Sequence, residues 1–195
     1  MTAEDFEHLA RATPGVSIRR AKALPLAHPR FPGAKIPGAI TVIVVPDGEG
    51  EAPTPSEETL KAVCQHLDRH RLLTAEVYVV GPVYHTIEVE AALIVAPEAD
   101  LAEVQAAVDA ALRTYFHPLR GGESGSGWEF GRDLFVSRIT QLLLGIEGVE
   151  RIRDNQLILW LDAEAQEFCR DVALEPGALV ANGEHRVSVA YAEEE

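Results

Sequence analysis

The hydrophobic and polar positions of the chain follow two periods, one typical of strands and one typical of helices. The clearest period of two covers residues 85–95, where alternate positions are apolar and Glu88 and Glu90 share the opposite face. Residues 39–45 are apolar at nearly every position and mostly β-branched, which predicts a strand buried on both faces. Weaker patterns predict further strands at 16–24, 76–80, 134–136, 149–153, 156–161, 171–174 and 186–190.

Four segments have the apolar spacing of amphipathic helices. Two of them cover 3–12 and 101–116, and the other two start near Thr54 and Ser137. Each has a side chain suited to the N-cap position: Thr2, Thr54, Asp100 and Ser137. Residues 25–38 contain four prolines and two glycines, which predicts an irregular excursion. Asp154-Asn155 is a predicted hairpin turn between the strands on either side of it.

A short pattern recurs along the chain at a constant offset of 133 residues. In each copy a helix ends in a glycine-valine turn, with these positions in correspondence: Phe6, Leu9, Gly15 and Val16 with Ile139, Leu142, Gly148 and Val149. We therefore predict an α+β fold of two related ferredoxin-like units, each a small mixed sheet with helices packed on one face. The predicted domains are 1–82, 83–161 and a C-terminal β extension at 162–195.

Residues 117–133, here called the connector, join two predicted helices through a glycine-rich segment that includes Trp128. Glycine permits positive φ and close backbone approach, and long ordered loops are often functional. Trp128 and Phe130 suit either core packing or a contact with another subunit. The residues that we predict to lie in an interaction surface are Arg120, Gly121, Gly122, Gly127, Trp128, Phe130 and Arg132.

The totals describe an ordinary globular chain with a strong acidic excess. The 195 residues are 47% hydrophobic and carry a formal net charge of −14, which disfavours nucleic acid and anionic membranes as partners. The acidic tail at 193–195 is expected to be solvated, and Cys64 and Cys169 are expected to be buried free thiols. The sequence has no signal-peptide or membrane-span pattern, so we expect a soluble protein made in the cytoplasm.

No catalytic pattern emerges from the sequence. It contains no phosphate-binding loop, dinucleotide fingerprint, nucleophile elbow or thiolate zinc pattern, and we predict no catalytic, cofactor-binding or metal residues. His66 and His70 have a metal-like helical spacing, but charged neighbours favour a solvated face. The other candidates weighed and set aside are His28, His85, and the pair Glu88 and Glu90. His117 and Glu123 would be the least unlikely catalytic pair if the protein were an enzyme.

Several segments, taken in order, resemble the carboxy-terminal part of the baseplate J-like proteins, which are wedge components of contractile phage tails and phage-tail-like injection systems. The matching segments are 2–7, 9–10, 14–16, 21–24, 37–38, 42–46, 55–56 with Leu60 and Leu67, 71–74, 80–82, 117–119, 121–122, 127–128, 130–132, 179–180 and 183–186. The resemblance implies a non-enzymatic assembly subunit that contacts copies of itself and other wedge proteins. Family members usually have a further amino-terminal region, which leaves open whether this chain is a full product, a shortened relative or a domain.

The alternative reading of the same fold is a small-molecule-binding or regulatory ferredoxin-like domain. That reading requires a concave pocket with convergent polar groups, whereas an assembly subunit requires contact surfaces. The assembly subunit is our leading interpretation, and the binding domain is the alternative.

Overall fold

The chain, seen in a computed structural model that describes residues 1–168 and 170–192, divides into two compact units. Unit 1 consists of Met1–Val83 with Pro176–Ala178, and unit 2 consists of Tyr84–Glu175 with Leu179–Glu195. Cys169 and the acidic tail at 193–195, for which we made predictions, lie outside the described residues. No helix in the described part of the chain is both long and apolar enough to cross a membrane.

Unit 1 contains two helices and a three-stranded sheet. Its elements are α1 (Ala3–Arg11), β1 (Ile18–Pro25), β2 (Ala39–Pro46), α2 (Glu57–Asp68) and β3 (Glu76–Val80). The central strand β2 pairs antiparallel with β1 and parallel with β3. Helix and sheet side chains meet in one core, which includes Phe6, Ala10, Val42, Val44, Val63 and Leu67. The prediction that 39–45 forms a strand buried on both faces is confirmed.

Unit 2 is built around one long central strand. Its elements are β4 (Tyr84–Val95), α3 (Leu101–Tyr115), α4 (Val136–Leu144), β5 (Val149–Leu161), β6 (Glu164–Ala165), β7 (Leu179–Asn182) and β8 (Arg186–Tyr191). Strand β4 pairs antiparallel with β5 on one side and parallel with β7 and then β8 on the other. Ile87, Val89 and Leu93 are fully buried, as the period of two predicted.

The predicted hairpin at Asp154-Asn155 is wrong. Strand β5 runs without interruption from Val149 to Leu161, and both of its halves pair with β4. Between the pairs Ala91–Leu157 and Leu93–Ile152, residues 153–156 of β5 oppose Ala92 alone, so the turn-forming sequence makes a large bulge. Asp154 takes φ 53°, a value that suits the aspartate typical of turns. The sequence at Asp154-Asn155 does favour a turn, but pairing of both flanking segments with β4 makes this turn part of a bulge.

Two helix starts, three strands and the burial of Cys64 also differ from the predictions. Ser56, and not Thr54, is the N-cap of α2, because its side chain accepts the Thr59 N–H. Helix α4 begins at Val136 after Phe135, so Ser137 lies inside it. The strands predicted at 134–136 and 171–174 reduce to a single bridge between Leu134 and Val172. Strand β7 was not predicted. Cys64, expected to be buried, is exposed.

The α+β class is confirmed, whereas the ferredoxin-like order of elements is not. The recurring pattern does correspond to equivalent structure: α1 and α4 each have nine residues at the predicted offset, and Gly15 and Gly148 take φ values of 81° and 87°. In both places the glycine lets the chain turn sharply from a helix into the following strand. Each sheet mixes parallel and antiparallel pairs, as predicted.

We predict that Ser56→Ala destabilises the protein by about 1 kcal/mol, because the Thr59 N–H loses its side-chain acceptor. Thr54→Ala is the matched control, since Thr54 is exposed and precedes the observed cap. Chemical denaturation of the two variants and the wild type measures the difference. A larger loss for Thr54→Ala than for Ser56→Ala would contradict the observed helix start.

Candidate interaction surface

The connector folds back on the carboxyl end of α3. The N–H of Gly121 donates to the carbonyl of His117 at 2.8 Å, and the N–H of Gly122 donates to the carbonyl of Tyr115 at 2.8 Å. Gly127 N–H then donates to the Gly121 carbonyl at 2.9 Å, which closes the loop on itself. These bonds occupy carbonyls that a helix end otherwise leaves without partners, so the connector is fixed to the helix that precedes it.

Close backbone packing explains the glycine at position 121. A Cβ on Gly121 would lie 2.3 Å from the carbonyl oxygen of Tyr115 and 2.5 Å from that of Thr114. Both obstacles are backbone atoms that cannot move aside without unwinding the helix end. Gly127, at φ 101°, has a conformation that side chains rarely adopt. Two of the predicted interaction residues therefore have a structural requirement of their own.

Trp128 lies inside unit 2. Its side chain is 2% exposed and packs edge-on against Tyr115, with ring centroids 5.6 Å apart. The ring of Phe116 lies at a tilt to it, with centroids 5.9 Å apart. Its indole N–H donates to the carbonyl of Arg132 at 3.2 Å, so its polar atom is also satisfied. Of the two roles that the sequence left open for Trp128, the structure favours core packing, because a buried ring presents no area to another subunit.

Charged residues cover the outer side of the connector. Arg132 bridges Glu123 at 2.9 Å and Glu129 at 3.1 Å, and Arg138 contacts Glu123 at 3.2 Å. These ion pairs are partly exposed, so each adds little stability, but together they hold the loop surface in one arrangement. Burial, and then the charge of Glu123, raise the pKa of the adjoining Tyr115 above its ordinary value.

The predicted interaction residues separate into two groups. Gly121, Gly127 and Trp128 are buried, whereas Arg120 is exposed and Phe130 and Arg132 are half-buried. Gly122, at φ 72°, is half-buried and directs the turn. The connector therefore brings Arg120, Phe130 and Arg132 to the surface over a core that Trp128 fills.

His117 is positioned by the backbone of the connector. The N–H of Leu119 donates to its Nδ1 at 3.0 Å, so a neutral ring carries its proton on Nε2. The 3.3 Å approach of Arg120 to Nε2 then brings two donors together, and we interpret it as a contact and not a hydrogen bond. His117 therefore stabilises the turn that follows α3.

The face of the sheet that carries Glu88 and Glu90 holds an aromatic and a cation that sequence reasoning missed. Arg186 donates to Glu88 at 2.8 Å and lies 4.7 Å above the ring of Trp160. The indole N–H of Trp160 donates to Glu90 at 2.9 Å. The two glutamates are thus members of a charge-paired network. The register that brings Arg186 and Trp160 to them depends on strands distant in sequence, which no local signal reveals.

His85 forms the other polar cluster of unit 2. Its Nδ1 lies 2.6 Å from Asp162, and its Nε2 lies 3.5 Å from Glu175. Asp162 also accepts the N–H of Thr86 at 2.8 Å, so it ties the β5–β6 turn to β4. Burial alone would lower the pKa of His85, but the hydrogen bond and charge of Asp162, followed by those of Glu175, raise it above its ordinary 6.5. The cluster therefore favours a protonated His85.

The remaining histidines show no metal-binding arrangement. The rings of His66 and His70 are tilted against each other with centroids 4.8 Å apart. Burial, followed by the charges of His70 and Arg69, lowers the pKa of His66. His28 packs against Phe31 and Tyr78 in unit 1. Across the described residues, no group of three or more histidine, cysteine, aspartate or glutamate side chains is placed to hold a metal ion.

Comparison with known proteins connects this geometry to a family. Residues 87–168 match the baseplate J-like protein C-terminal domain, a segment that includes most of β4, the connector and all of β5. The chain is also similar to a chain in the cryo-EM structure of the anti-feeding prophage (AFP) baseplate, 6-fold symmetrised, with a TM-score of 0.67 and 17% sequence identity. That alignment covers 94% of this chain and 37% of the other, so this chain spans little more than a third of its length. At this identity the likeness shows the fold. No curated protein sequence matches the chain.

We predict that Trp128→Ala lowers the free energy of unfolding by about 3–5 kcal/mol, because it leaves a large cavity beside Tyr115 and Phe116. Phe168→Ala is the control, since Phe168 is also a large aromatic in unit 2 but is 56% exposed, and its removal should change stability by less than about 0.5 kcal/mol. Thermal and chemical denaturation measure both. Equal and small losses of stability for the two variants would contradict core packing and favour a contact role for Trp128.

We predict that His85→Gln costs more stability at about pH 5.5 than at about pH 8.5. The folded pKa of His85 is raised, so its contribution is complete below the ordinary value of 6.5 and disappears as pH rises through the folded value. Burial would raise the pKa of Asp162, but its hydrogen bonds to His85 and Thr86 lower it below the ordinary 3.8. The stability that charged Asp162 contributes is therefore lost only in acid well below both test pH values. NMR titration of His85 and denaturation at both pH values provide the measurement; a cost independent of pH would refute the charged pair.

Proposed function

We propose that this chain is a structural wedge subunit in the baseplate of a contractile phage tail or phage-tail-like injection particle, because residues 87–168 match the baseplate J-like protein C-terminal domain. The family match is the observation that carries the proposal. The fold likeness to a chain of a prophage baseplate, which extends over 94% of this chain, adds support because it includes unit 1 as well as the matched segment.

The construction of unit 2 suits a subunit that acts by contact. Its connector is anchored by backbone bonds and by the buried Trp128, so its outer residues keep a fixed arrangement before a partner arrives. Rigid, preorganised surfaces lose less conformational entropy on association than mobile loops do. We infer that Arg120, Phe130 and Arg132 belong to such a contact, and that the chain has a non-enzymatic role.

The proposed partners are other wedge proteins of the baseplate and further copies of this chain. The net charge of −14 argues against nucleic acid and anionic lipid as partners, since both require clusters of cations. In this proposal the chain is made in the cytoplasm and is then incorporated into the baseplate of the particle.

We predict that the protein co-purifies with the assembled particle at a fixed ratio to the sheath protein, and that deletion of its gene prevents baseplate assembly. The measurements are ultracentrifugation of particles with mass spectrometry, and negative-stain microscopy of the deletion strain. Complementation with the wild-type gene is the control. Normal particles in the deletion strain, or a protein that never sediments with them, would contradict the proposal.

A thermal-shift screen over metabolites and divalent metals separates this proposal from a small-molecule-binding role. A baseplate subunit should show no specific stabilisation by any of them. Saturable stabilisation by one metabolite, at a single site, would favour the regulatory alternative.

A further inference from the structure

Unit 1 displays an exposed aromatic cluster on residues 25–38, here called the aromatic-basic loop. Phe31 is 56% exposed and its ring lies 5.0 Å from that of His28, which in turn lies 4.3 Å from the ring of Tyr78. Leu26 is also exposed. Aromatic side chains held in place by their neighbours and open to solvent are the residues that most often dominate protein interfaces.

The loop is also basic in an otherwise acidic protein. No aspartate or glutamate occurs from residue 8 to residue 46, although the chain has 31 of them. Arg30 and Lys35 flank Phe31 on the loop, and both are exposed. Neither forms an ion pair with any residue in the described part of the chain, although several other cations of the protein do. The loop therefore presents an exposed aromatic ring beside two exposed cations. The Tyr78 hydroxyl of the same cluster donates to Glu76 at 2.7 Å.

Backbone bonds preorganise the loop. The N–H of Leu26 donates to the carbonyl of Ala39, and the N–H of Ile36 donates to the carbonyl of Leu26, both at 2.8 Å. The hydroxyl of Thr41 donates to the carbonyl of Ala27 at 2.9 Å. Leu26 takes φ 63°, which is uncommon for a bulky residue and shows that its surroundings impose the conformation. The loop thus holds its shape without a partner.

Unit 2 contains a groove with the complementary character. The groove has a volume of about 580 Å³ and lies between the start of α3 and the turn that precedes β5. Its apolar lining comes from Val104, Ile146 and Val149 together with alanines. Its rim carries Glu98, Asp100, Glu103, Glu147 and Glu150, and no lysine or arginine lines it.

The acidic rim is not neutralised within the described structure. Glu98, Glu103, Glu147 and Glu150 form no ion pair with a described residue, whereas Glu7, Glu88 and Glu123 elsewhere do. Four carboxylates around one concavity repel each other, and that repulsion opposes folding. A cationic partner that entered the groove would reduce the repulsion while its apolar parts covered the half-buried Ile146 and Val149.

We propose that the aromatic-basic loop of one copy docks in the acidic groove of a second copy of this chain. Phe31 enters the apolar floor, and Arg30 and Lys35 face the carboxylates of the rim. The assignment rests on charge and shape: the same sequence supplies a rigid aromatic between unpaired cations and an apolar groove bordered by unpaired anions. A contact between two different surfaces is heterologous, so repetition gives a ring or an open chain of subunits. The inference rests on the proposed function and names one contact within it.

Sedimentation velocity of the purified full chain, over concentrations up to the millimolar range, tests the contact. We expect the wild type to self-associate more weakly as salt rises. Phe31→Ala, Arg30→Glu, and the double variant Glu98→Lys with Glu147→Lys should each raise the dissociation constant by at least about tenfold. Phe168→Ala, a substitution at an aromatic of equal exposure, and Glu49→Lys, at an exposed acid of another loop, are the matched controls and should leave it unchanged.

Mixing two defective variants gives the sharper test. Phe31→Ala keeps the groove, and the Glu98→Lys, Glu147→Lys variant keeps the loop, so the mixture should form 1:1 dimers. These dimers cannot grow further, because the truncated loop of one partner then meets only the cationic groove of the other. Circular dichroism and thermal denaturation verify that each variant is folded. A wild type that stays monomeric at every concentration, association that the variants do not alter, or a mixture that stays monomeric would each overturn the inference. Incorporation into particles is measured independently, so a particle component that is monomeric in solution would overturn this contact and leave the proposed function intact.

Discussion

The backbone of β4 must be paired along both of its edges, and the rest of unit 2 follows from that constraint. A strand whose side chains are almost all buried cannot leave N–H and C=O groups without partners, because each would lose its hydrogen bond to water and gain none. One edge is occupied by β5 and the other by β7 followed by β8. The pairing along each edge is irregular. The largest irregularity is the bulge of β5 on the antiparallel edge and the break between β7 and β8 on the parallel edge.

On the parallel edge, the irregularity lies between β7 and β8. Ile87 pairs with Asn182 and Glu90 pairs with Arg186, so residues 183–185 oppose Glu88 and Val89 with one residue in excess. The Val89 N–H donates to the ring Nδ1 of His185 at 3.2 Å, which replaces the strand carbonyl displaced by the bulge. Gly183 passes so close to β4 that a Cβ there would lie 2.6 Å from the side chain of Glu88. One histidine and one glycine thus keep the edge continuous.

This arrangement shows which features the sequence could reveal. The period of two in β4, the buried character of β2 and the caps of α1 and α3 are local signals, and the structure agrees with them. Strand β7 was missed because its four residues have no period of their own and are ordered by β4. The turn at Asp154-Asn155 was misassigned for the same reason, since its two arms pair with a third strand and not with each other.

The candidate site follows the same division between local and distant causes. Glycine composition correctly marked the connector as a segment with unusual backbone requirements, but it could not reveal where Trp128 would point. The orientation of Trp128 depends on Tyr115 and Phe116 at the end of α3. Because these rings pack against it, Trp128 lies in the core of unit 2 and not at its surface.

Some charged side chains of the described residues form ion pairs, and others do not. Unit 2 pairs an acid of its sheet and an acid of its connector with cations, since Arg186 pairs with Glu88 and Arg132 pairs with Glu123. Among the described residues, the acids Glu98, Glu103, Glu147 and Glu150 around the groove of the same unit form no ion pair, and neither do Arg30 and Lys35 of unit 1. Neutralising all of these charges within one chain would favour folding, so leaving them unpaired makes sense where the compensating charge arrives with a partner. A partner of opposite charge that bound at these places would lower the electrostatic energy of the protein.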